Sequence, residues 1–320
     1  MNIPKSQRKN NPLSMERYAK FLRKKLLFKK FHQEALVKSQ SAMEYLMTYG
    51  WSILIIAVVL GTLSFLGIFN PLTFAPKATA GGCQVVKNSE LGISNLEGSC
   101  NNQMPQYVAQ FDGQSSYINI PLNFPQSSNI TISTWIYLRS IPSGNTGVIS
   151  AISSLSYGTM SIFPNSDCHI QLGVTTNSWY PSDGNTCLSI GKWYNVIGVA
   201  DQISHTYDLY INGVSDFGAP ETFSGTLESS TAFDVGLFPY QTSYFPGDIS
   251  NVQIYNTSLT NSSISALYSE GIGGVPIDPQ NLVGWWPLNG NANDYSGNQN
   301  GGTSANVVFT SNWYNGYSQP

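Results

Sequence analysis

The side chains best suited to chemistry are scattered along this sequence. Hydrolysis of a glycosidic bond needs two carboxyl groups about 5–9 Å apart in a groove. Glu221, Glu228 and Glu270 are isolated, and no predicted strand carries acids at positions i and i+2. His169 and His205 have no neighbours that would complete a catalytic triad or a zinc site. We therefore expect no enzymatic activity.

A turn between residues 289 and 298 is a candidate calcium site. Asn289, Asn293 and Asp294 supply the oxygen atoms that Ca²⁺ prefers. Clusters of Asn, Asp and Gly are also common in turns without a metal, because their side chains bond to nearby backbone groups. Calcium is the only cofactor that the sequence suggests.

Aromatic side chains in predicted loops favour carbohydrate binding, because sugars stack their apolar faces on aromatic rings. The candidates are Trp179, Tyr180, Phe238, Tyr240 and Tyr244. The alternative is that these rings fill the core of the domain. A disulfide bond between Cys168 and Cys187 would hold the loop around Trp179 rigid, and rigidity lowers the entropy lost on binding.

Charge divides the chain into two parts. Residues 1–39 hold eleven Lys/Arg and two acids, a balance of +9, whereas residues 40–320 have a balance of −12. Nucleic acid is a common partner of basic segments, but this one directly precedes residues 50–69, which carry no charge and could cross a ~30 Å hydrocarbon layer. Flanks rich in Lys and Arg stay in the cytoplasm. We expect a membrane-spanning helix over 40–70, a cytoplasmic N-terminus and an extracellular C-terminal part, with no nucleic-acid binding.

Three fates are open for the apolar segment. It could belong to a secretory signal peptide cut near Ala78-Thr79-Ala80, which has the small residues of such a cleavage site. It could remain as an uncleaved anchor. It could also be processed at its N-terminal edge, where Glu44 is the single acid.

The stretch "KSQSAMEYL" (38–46) favours the third fate. It resembles the class III signal of archaeal type IV pilin-like surface proteins, and the resemblance implies that a prepilin-type peptidase cuts between Ser39 and Gln40. Glu44 then becomes the fifth residue of the mature chain. The long leader departs from the family pattern, as does Ala42, where one pilin class has serine. The predicted processing residues are Lys38, Ser39, Gln40 and Glu44.

Cleavage would give Glu44 a physical role. A carboxylate at the edge of hydrocarbon costs a few kcal/mol unless it is paired or reaches water. The new α-amino group of Gln40, with a pKa near ~8, would lie about one helical turn away or on a neighbouring subunit. Pairing would fix the stagger of like subunits in a filament. In the simpler alternative, Glu44 only favours the helix N-terminus through the helix dipole.

All four cysteines lie on the predicted extracellular side, where disulfide bonds form. Besides Cys168 and Cys187, Cys83 and Cys100 could close a small loop in a Pro- and Gly-containing linker over 71–106. Asn-x-Ser/Thr triplets make three residues candidates for N-glycosylation. These are Asn129, Asn256 and Asn261.

From residue 107 onward the pattern is that of short antiparallel strands. In residues 129–138 apolar and polar side chains alternate, and Asn212-Gly213 predicts a tight hairpin turn. Residues 259–271 predict a short helix, with Thr260 or Asn261 as its cap. About 200 residues of this kind predict a mainly β fold, a sandwich or jelly roll. Its polarity comes mainly from Ser, Thr, Asn, Gln and Tyr, so we expect it to stay folded in mild acid.

Several stretches, in order, resemble concanavalin A-like jelly-roll domains of the laminin G and pentraxin type. They include "YVAQFDGQSSYINIP" (107–121), "FPGDISNVQIYN" (245–256) and "LVGWWPLNGNANDYSGNQNGGT" (282–303). The last commonly opens such domains but here follows the body, so it either closes the same sandwich or is the remnant of a second copy. Ser250 and Asn251 stand where many relatives have acids, which weakens the case for calcium.

These observations predict five regions. They are a basic leader over 1–39, a transmembrane or pilin-type helix over 40–70, a linker over 71–106, a concanavalin A-like jelly roll over 107–310 and a tail over 311–320. We expect a cell-surface protein for adhesion to extracellular glycans or glycoproteins, carried by a filament or by a membrane anchor. The alternatives are a structural surface protein on an uncleaved anchor and a secreted polysaccharide-active enzyme.

Overall fold

The computed structural model describes residues 12–65, 77–88, 90, 92–100, 103–153 and 157–320, and the side chains at 12–19, 30–46, 48 and 78 lie outside this description. The chain divides into two units, Met1–Thr73 and Phe74–Pro320.

The first unit contains one helix, α1 (Pro12–Phe65). Residues 12–39 of the predicted basic leader and residues 40–65 of the predicted apolar helix therefore form one continuous helix. Among the residues that the structure describes, no helix is long and apolar enough to cross a membrane. The end of the predicted apolar helix, residues 66–70, lies outside the described residues.

The second unit is built from β-strands and one short helix, α2 (Asn261–Ser269). The strands, in chain order, are β1 (Lys77–Ala78), β2 (Cys83–Asn88), β3 (Ile93–Gly98), β4 (Met104–Pro105), β5 (Val108–Gln110), β6 (Tyr117–Ile120), β7 (Ile130–Leu138), β8 (Ile149–Ile152), β9 (Tyr157–Pro164), β10 (His169–Thr175), β11 (Trp179–Cys187), β12 (Trp193–Asp201), β13 (Thr206–Ile211), β14 (Val214–Ser215), β15 (Glu221–Thr222), β16 (Ala232–Val235), β17 (Leu237–Phe238), β18 (Ser243–Tyr244), β19 (Gly247–Tyr255), β20 (Leu282–Trp286), β21 (Thr303–Ala305) and β22 (Val308–Thr310).

Two antiparallel sheets form a sandwich. One has seven strands in the order β11-β10-β9-β8-β16-β6-β21, and the other has nine, with the path β14-β13-β12-β7-β19-β5-β22 and with β15 and β20 added beside β13 and β19. The main core lies between the sheets and is filled by side chains such as Ile132, Ile162 and Phe233. The predicted mainly β sandwich is confirmed. Strands β20, β21 and β22 join these same two sheets, so the 282–303 segment closes the sandwich and is no second copy.

Local signals in the sequence placed several elements correctly. Asn212 and Gly213 both have positive φ, as the tight turn between β13 and β14 requires. Thr260 caps α2, where its side chain accepts a hydrogen bond from the backbone N–H of Ser263. Ile264 and Leu267 are the buried residues of that helix.

The outer face of the nine-stranded sheet carries a second apolar core. Helix α2, strand β20 and the β2–β3 hairpin cover it, with Leu267, Trp285 and Val85 among the buried side chains. The predicted tail also packs here: Trp313 and Tyr317 are buried, and the Tyr317 ring contacts Trp135 with 5.5 Å between centroids. Both cysteine pairs are bonded, Cys83 to Cys100 and Cys168 to Cys187.

Candidate functional site

The outer face of the seven-stranded sheet carries a cluster of aromatic rings at one edge. The indole ring of Trp179, on edge strand β11, packs against the backbone of Gly173 in the neighbouring strand. The contact is so close that a Cβ at Gly173 would overlap the ring. The Tyr157 ring stacks on Trp179 with 4.7 Å between centroids. These two rings are half-buried, so part of each faces solvent.

The β17–β18 hairpin adds two further rings. Phe238 lies 5.0 Å from Phe163, and Tyr240 lies 3.9 Å from Tyr157, centroid to centroid. Phe163 and Phe238 are buried, whereas Tyr240 is 38% exposed. Burial raises the pKa of Tyr240 to about 12, so its hydroxyl stays neutral. We call this group the aromatic cluster; its members are Tyr157, Phe163, Trp179, Phe238 and Tyr240.

The cluster contains three of the five rings that the sequence suggested for glycan binding. Tyr180 alternates with Trp179 on β11 and therefore faces the other side of the sheet, where its hydroxyl bonds with the Ser224 hydroxyl at 2.6 Å. Tyr244 lies apart, 6.5 Å from the ring of Tyr117. Sequence reasoning missed Tyr157 and Phe163, although the alternation of "YGTMSIF" places them on one face of a strand.

A group of hydroxyls shares this face with the cluster. Ser161 lies between Tyr157 and Phe163 along β9, and Ser150 lies opposite it on β8. The hydroxyl oxygens of Ser150, Thr159, Ser161 and Thr175 are buried and have no hydrogen-bond partner among the described residues. We call these four residues the hydroxyl cluster. Buried polar atoms in folded proteins are nearly always bonded, so four orphans in one place set this face apart.

Asp234 continues the row on the next strand, β16. It lies opposite Ser150 and is 4% exposed. Asn119 donates a hydrogen bond of 2.8 Å to one carboxylate oxygen. Burial raises the pKa of Asp234, and the bond from Asn119 opposes that effect only in part.

Polar side chains form a rim beside the aromatic cluster. Asp183 follows Trp179 on the same face of β11, and one of its oxygens accepts bonds from Gln171 (2.8 Å) and Asn165 (3.0 Å). The Cys168–Cys187 disulfide ties together the ends of β10 and β11 next to this rim. The arrangement of a flat ring, a carboxylate and two carboxamides suits a ligand with both donor and acceptor groups.

The proposed calcium ligands have structural roles of their own. Both oxygens of Asp294 accept backbone N–H bonds, one from Trp285 and Ser296 and the other from Asn300. Asn289 accepts from the backbone of Tyr107. No group of three or more His, Cys, Asp or Glu suited to a metal occurs in the described ranges. Calcium at Asn289, Asn293 and Asp294 stays a prediction.

The candidate glycosylation sites differ in environment. Asn256 is exposed. The Asn129 side chain bonds with Gln202 and Ser258, and Asn261 accepts a bond from the Tyr210 hydroxyl. The processing residues Lys38, Ser39, Gln40 and Glu44 lie within α1, and their side chains are outside the described residues.

Comparison with known proteins agrees with the fold. Residues 112–265 match the laminin G profile of the concanavalin A-like lectin/glucanases superfamily. A Bacteroides ovatus structure provisionally named a carbohydrate binding protein aligns with a TM-score of 0.51 at 15% identity, over 68% of this chain and 67% of that one. The heptameric pentraxin of Limulus polyphemus gives 0.49 at 16% identity, over 64% and 94%. Domains LG4-5 of mouse laminin alpha1 give 0.40 at 17%, over 53% and 50%. No curated sequence matches significantly. The second unit therefore has the concanavalin A-like jelly-roll fold, and identities this low show the fold alone.

The contact between Trp179 and Gly173 can be tested by adding one methyl group. Gly173→Ala must displace the indole ring, and overpacking of this kind typically costs about 1–3 kcal/mol. We expect the free energy of unfolding in urea to fall by that amount and the near-ultraviolet circular dichroism to change. Gly144→Ala is the control, because nothing lies within 4 Å of a Cβ there. Equal stability of the two variants would contradict the described packing.

Burial of Asp234 predicts a pH dependence of stability. Because its pKa is raised in the folded state, folding is favoured as the pH falls from neutral through that pKa toward the value of about 3.9 for a free aspartate. Asp234→Asn should unfold at higher urea concentration than the wild type at neutral pH and should gain less on acidification. Burial also raises the pKa values of Asp208 and Asp248, and these two groups contribute to the gain that remains. A variant less stable than the wild type at neutral pH would contradict this account.

Proposed function

We propose that the second unit is a glycan-binding head. A saccharide binds at the aromatic cluster and reaches the hydroxyl cluster beside it. The observation that carries the proposal is a set of four buried hydroxyls that have no hydrogen-bond partner in the described part of the chain. They lie on the same sheet face as the half-buried rings of Trp179 and Tyr157 and the exposed ring of Tyr240. The concanavalin A-like fold and the provisional name of the Bacteroides ovatus neighbour support the same class of ligand.

The energetics favour a polyhydroxylated ligand. A buried hydroxyl without a partner costs about 1–3 kcal/mol, so a ligand that both donates and accepts hydrogen bonds recovers part of that cost. A sugar does this, and its apolar face stacks on an aromatic ring. For the ligand to reach Ser150 and Ser161, the β17–β18 hairpin has to move away from the sheet. The disulfide beside β10 and β11 keeps the remainder of the site in place.

The alternative is a head that serves only as a structural surface. In that case the aromatic cluster is ordinary packing between a hairpin and a sheet. This alternative does not explain why the sheet face beneath the rings carries four hydroxyls that form no hydrogen bond with the described residues. Alanine or valine would fill the same space without burying an unbonded polar group.

The first unit supports display of the head at a membrane or in a filament. Between Tyr49 and Phe65, apolar side chains on all sides of α1 are exposed, for example Trp51, Ile55 and Leu60. A helix that is apolar all round is normally buried against lipid or other helices. The described residues alone do not reach the length and apolarity of a membrane-spanning helix. We propose that the whole apolar segment predicted over 40–70 sits in a membrane, or packs with like subunits, with the basic segment on the cytoplasmic side and the head outside the cell.

Cleavage before Gln40 by a prepilin-type peptidase is part of this proposal. It rests on the resemblance of residues 38–46 to class III signals and on the need of Glu44 for a partner. A structural surface protein on an uncleaved anchor remains the second candidate for this half of the chain.

Ser161→Ala separates a binding site from ordinary packing. Removing an unpartnered hydroxyl should raise the free energy of unfolding by about 1 kcal/mol. It should also weaken binding of the tightest neutral oligosaccharide found on a glycan array by about tenfold, equivalent to about 1.4 kcal/mol. Urea unfolding and calorimetric titration measure the two effects.

Ser116→Ala is the matched control. Ser116 is equally buried, but its hydroxyl donates to the Asn306 carbonyl at 2.9 Å and accepts from the backbone of Asp112. This variant should lose stability and keep its affinity. A glycan array without any bound ligand, or an affinity that Ser161→Ala leaves unchanged, would refute the glycan site.

Processing predicts the N-terminus of the mature chain. Mass spectrometry of the protein from native membranes should find Gln40 as the first residue, and Glu44→Gln should still be cut but fail to assemble into filaments. A mature chain that starts at Met1 would support the uncleaved anchor. A start at Gly81 would indicate an ordinary secretory signal.

A further inference from the structure

A pocket lies on the opposite side of the sandwich from the aromatic cluster. It opens on the outer face of the nine-stranded sheet, where Tyr137, Asp248 and Gln110 lie side by side on adjacent strands. The C-terminal segment forms its other wall through Asn312, Trp313 and Asn315. The pocket has a volume of about 210 Å³ and its lining is mostly polar. We call it the Arg139 pocket.

An ion pair forms its floor. Arg139 is the only arginine after residue 23. It donates two bonds to Asp248, from Nε to Oδ1 at 3.0 Å and from Nη2 to Oδ2 at 2.9 Å. The Asp248 side chain is 2% exposed, whereas that of Arg139 is 42% exposed. A guanidinium has five N–H groups, so three remain for a ligand after the pair has formed.

The pair is costly for a purely structural element. Removing a carboxylate from water carries a penalty that a single ion pair often does not recover. Apolar side chains could occupy the positions of Arg139 and Asp248, as apolar side chains fill the core on the inner face of the same sheet. The guanidinium also lies over the ring of Tyr137, 5.8 Å from its centroid, and this contact fixes the orientation of its free N–H groups.

The C-terminal segment forms an aromatic wall of the pocket. Trp313 lines the pocket and is buried, and its Nε1–H is itself buried, without a hydrogen-bond partner among the described residues. The segment itself is firmly held, because Trp193 donates an indole N–H bond of 2.9 Å to the Trp313 carbonyl. Asn312 and Asn315 are exposed beside it, and each carboxamide can both donate and accept.

Charge selects the class of ligand. Asp248 neutralises Arg139, and residues 40–320 carry an excess of acids, with a balance of −12. An anion therefore gains little net attraction from the ion pair in this pocket. The free groups are N–H donors and carboxamides, which match the hydroxyls of an uncharged sugar, and the aromatic walls match its apolar face.

We propose that the Arg139 pocket binds one unit of an uncharged saccharide. The proposal does not depend on the aromatic cluster, since the two sites lie on different sheets and share no residue. With both sites occupied, one head would engage two glycan chains and would link them.

Saturation-transfer NMR on the full chain in detergent micelles tests the pocket. The probes are the methyl glycosides of glucose, galactose, mannose and N-acetylglucosamine, with glucuronic acid as the charged comparison. We expect at least one neutral probe to bind. Asn312→Ala/Asn315→Ala, which alters only exposed side chains, should weaken that binding about tenfold without changing the midpoint of thermal unfolding. Arg139→Lys, which keeps the charge but loses the forked geometry, should weaken it as well.

The Ser161→Ala variant distinguishes the two sites. Binding that Ser161→Ala leaves intact and that Asn312→Ala/Asn315→Ala weakens belongs to the Arg139 pocket, whatever the fate of the aromatic site. If no neutral probe binds, or if these pocket variants leave binding unchanged, the proposal fails and the ion pair is only structural. Binding of glucuronic acid alone would overturn the argument from charge.

Discussion

Hydrogen bonding of buried polar side chains on the outer faces of the two sheets is the constraint on which the character of each face depends. Strands use their backbone N–H and C=O groups on each other, so a side-chain hydroxyl on a buried sheet face needs a partner from elsewhere. The nine-stranded sheet supplies such partners. Thr131 donates to the Thr257 carbonyl at 2.7 Å, and Asn251 bonds with Trp285 and Gly274. The hydroxyls of Ser150 and Ser161 on the seven-stranded sheet have no such partner among the residues that the structure describes.

This difference gives the two outer faces different characters. Helix α2, strand β20, the β2–β3 hairpin and the C-terminal segment cover most of the nine-stranded sheet with apolar contacts that exclude water. The cover of the seven-stranded sheet consists of aromatic rings and a short hairpin over polar side chains. A cover that leaves polar groups without hydrogen bonds is the easier one to displace, because water or a ligand can form the hydrogen bonds that the cover does not.

Much of the architecture could be predicted from sequence because its signals are local. The alternation along β7, the Asn212-Gly213 turn and the Thr260 cap each depend on a few neighbouring residues, and each was correctly placed. Strand β9 was missed because a polar row in a strand normally faces water, whereas Thr159 and Ser161 are buried. The approach of Tyr157 and Phe238, 5.8 Å apart, joins positions far apart in sequence and has no local signal. The same holds for Trp313, which reads as part of a polar tail until the tail folds onto β12.

The pairing of β5 with β22 has a consequence for how the second unit acquires its structure. Val108 lies opposite Thr310. The first strand of the sandwich in chain order, β5, is therefore paired on one edge with the last strand, β22. Contacts of such long sequence separation form slowly, because a long loop must close before they stabilise anything. A chain made from its N-terminus holds β5 and its neighbours unpaired on that edge until about 200 further residues have been synthesised. A sequence rich in Ser, Thr and Asn, with few charges and few long apolar runs, keeps this unpaired segment from aggregating until the last strand has been made.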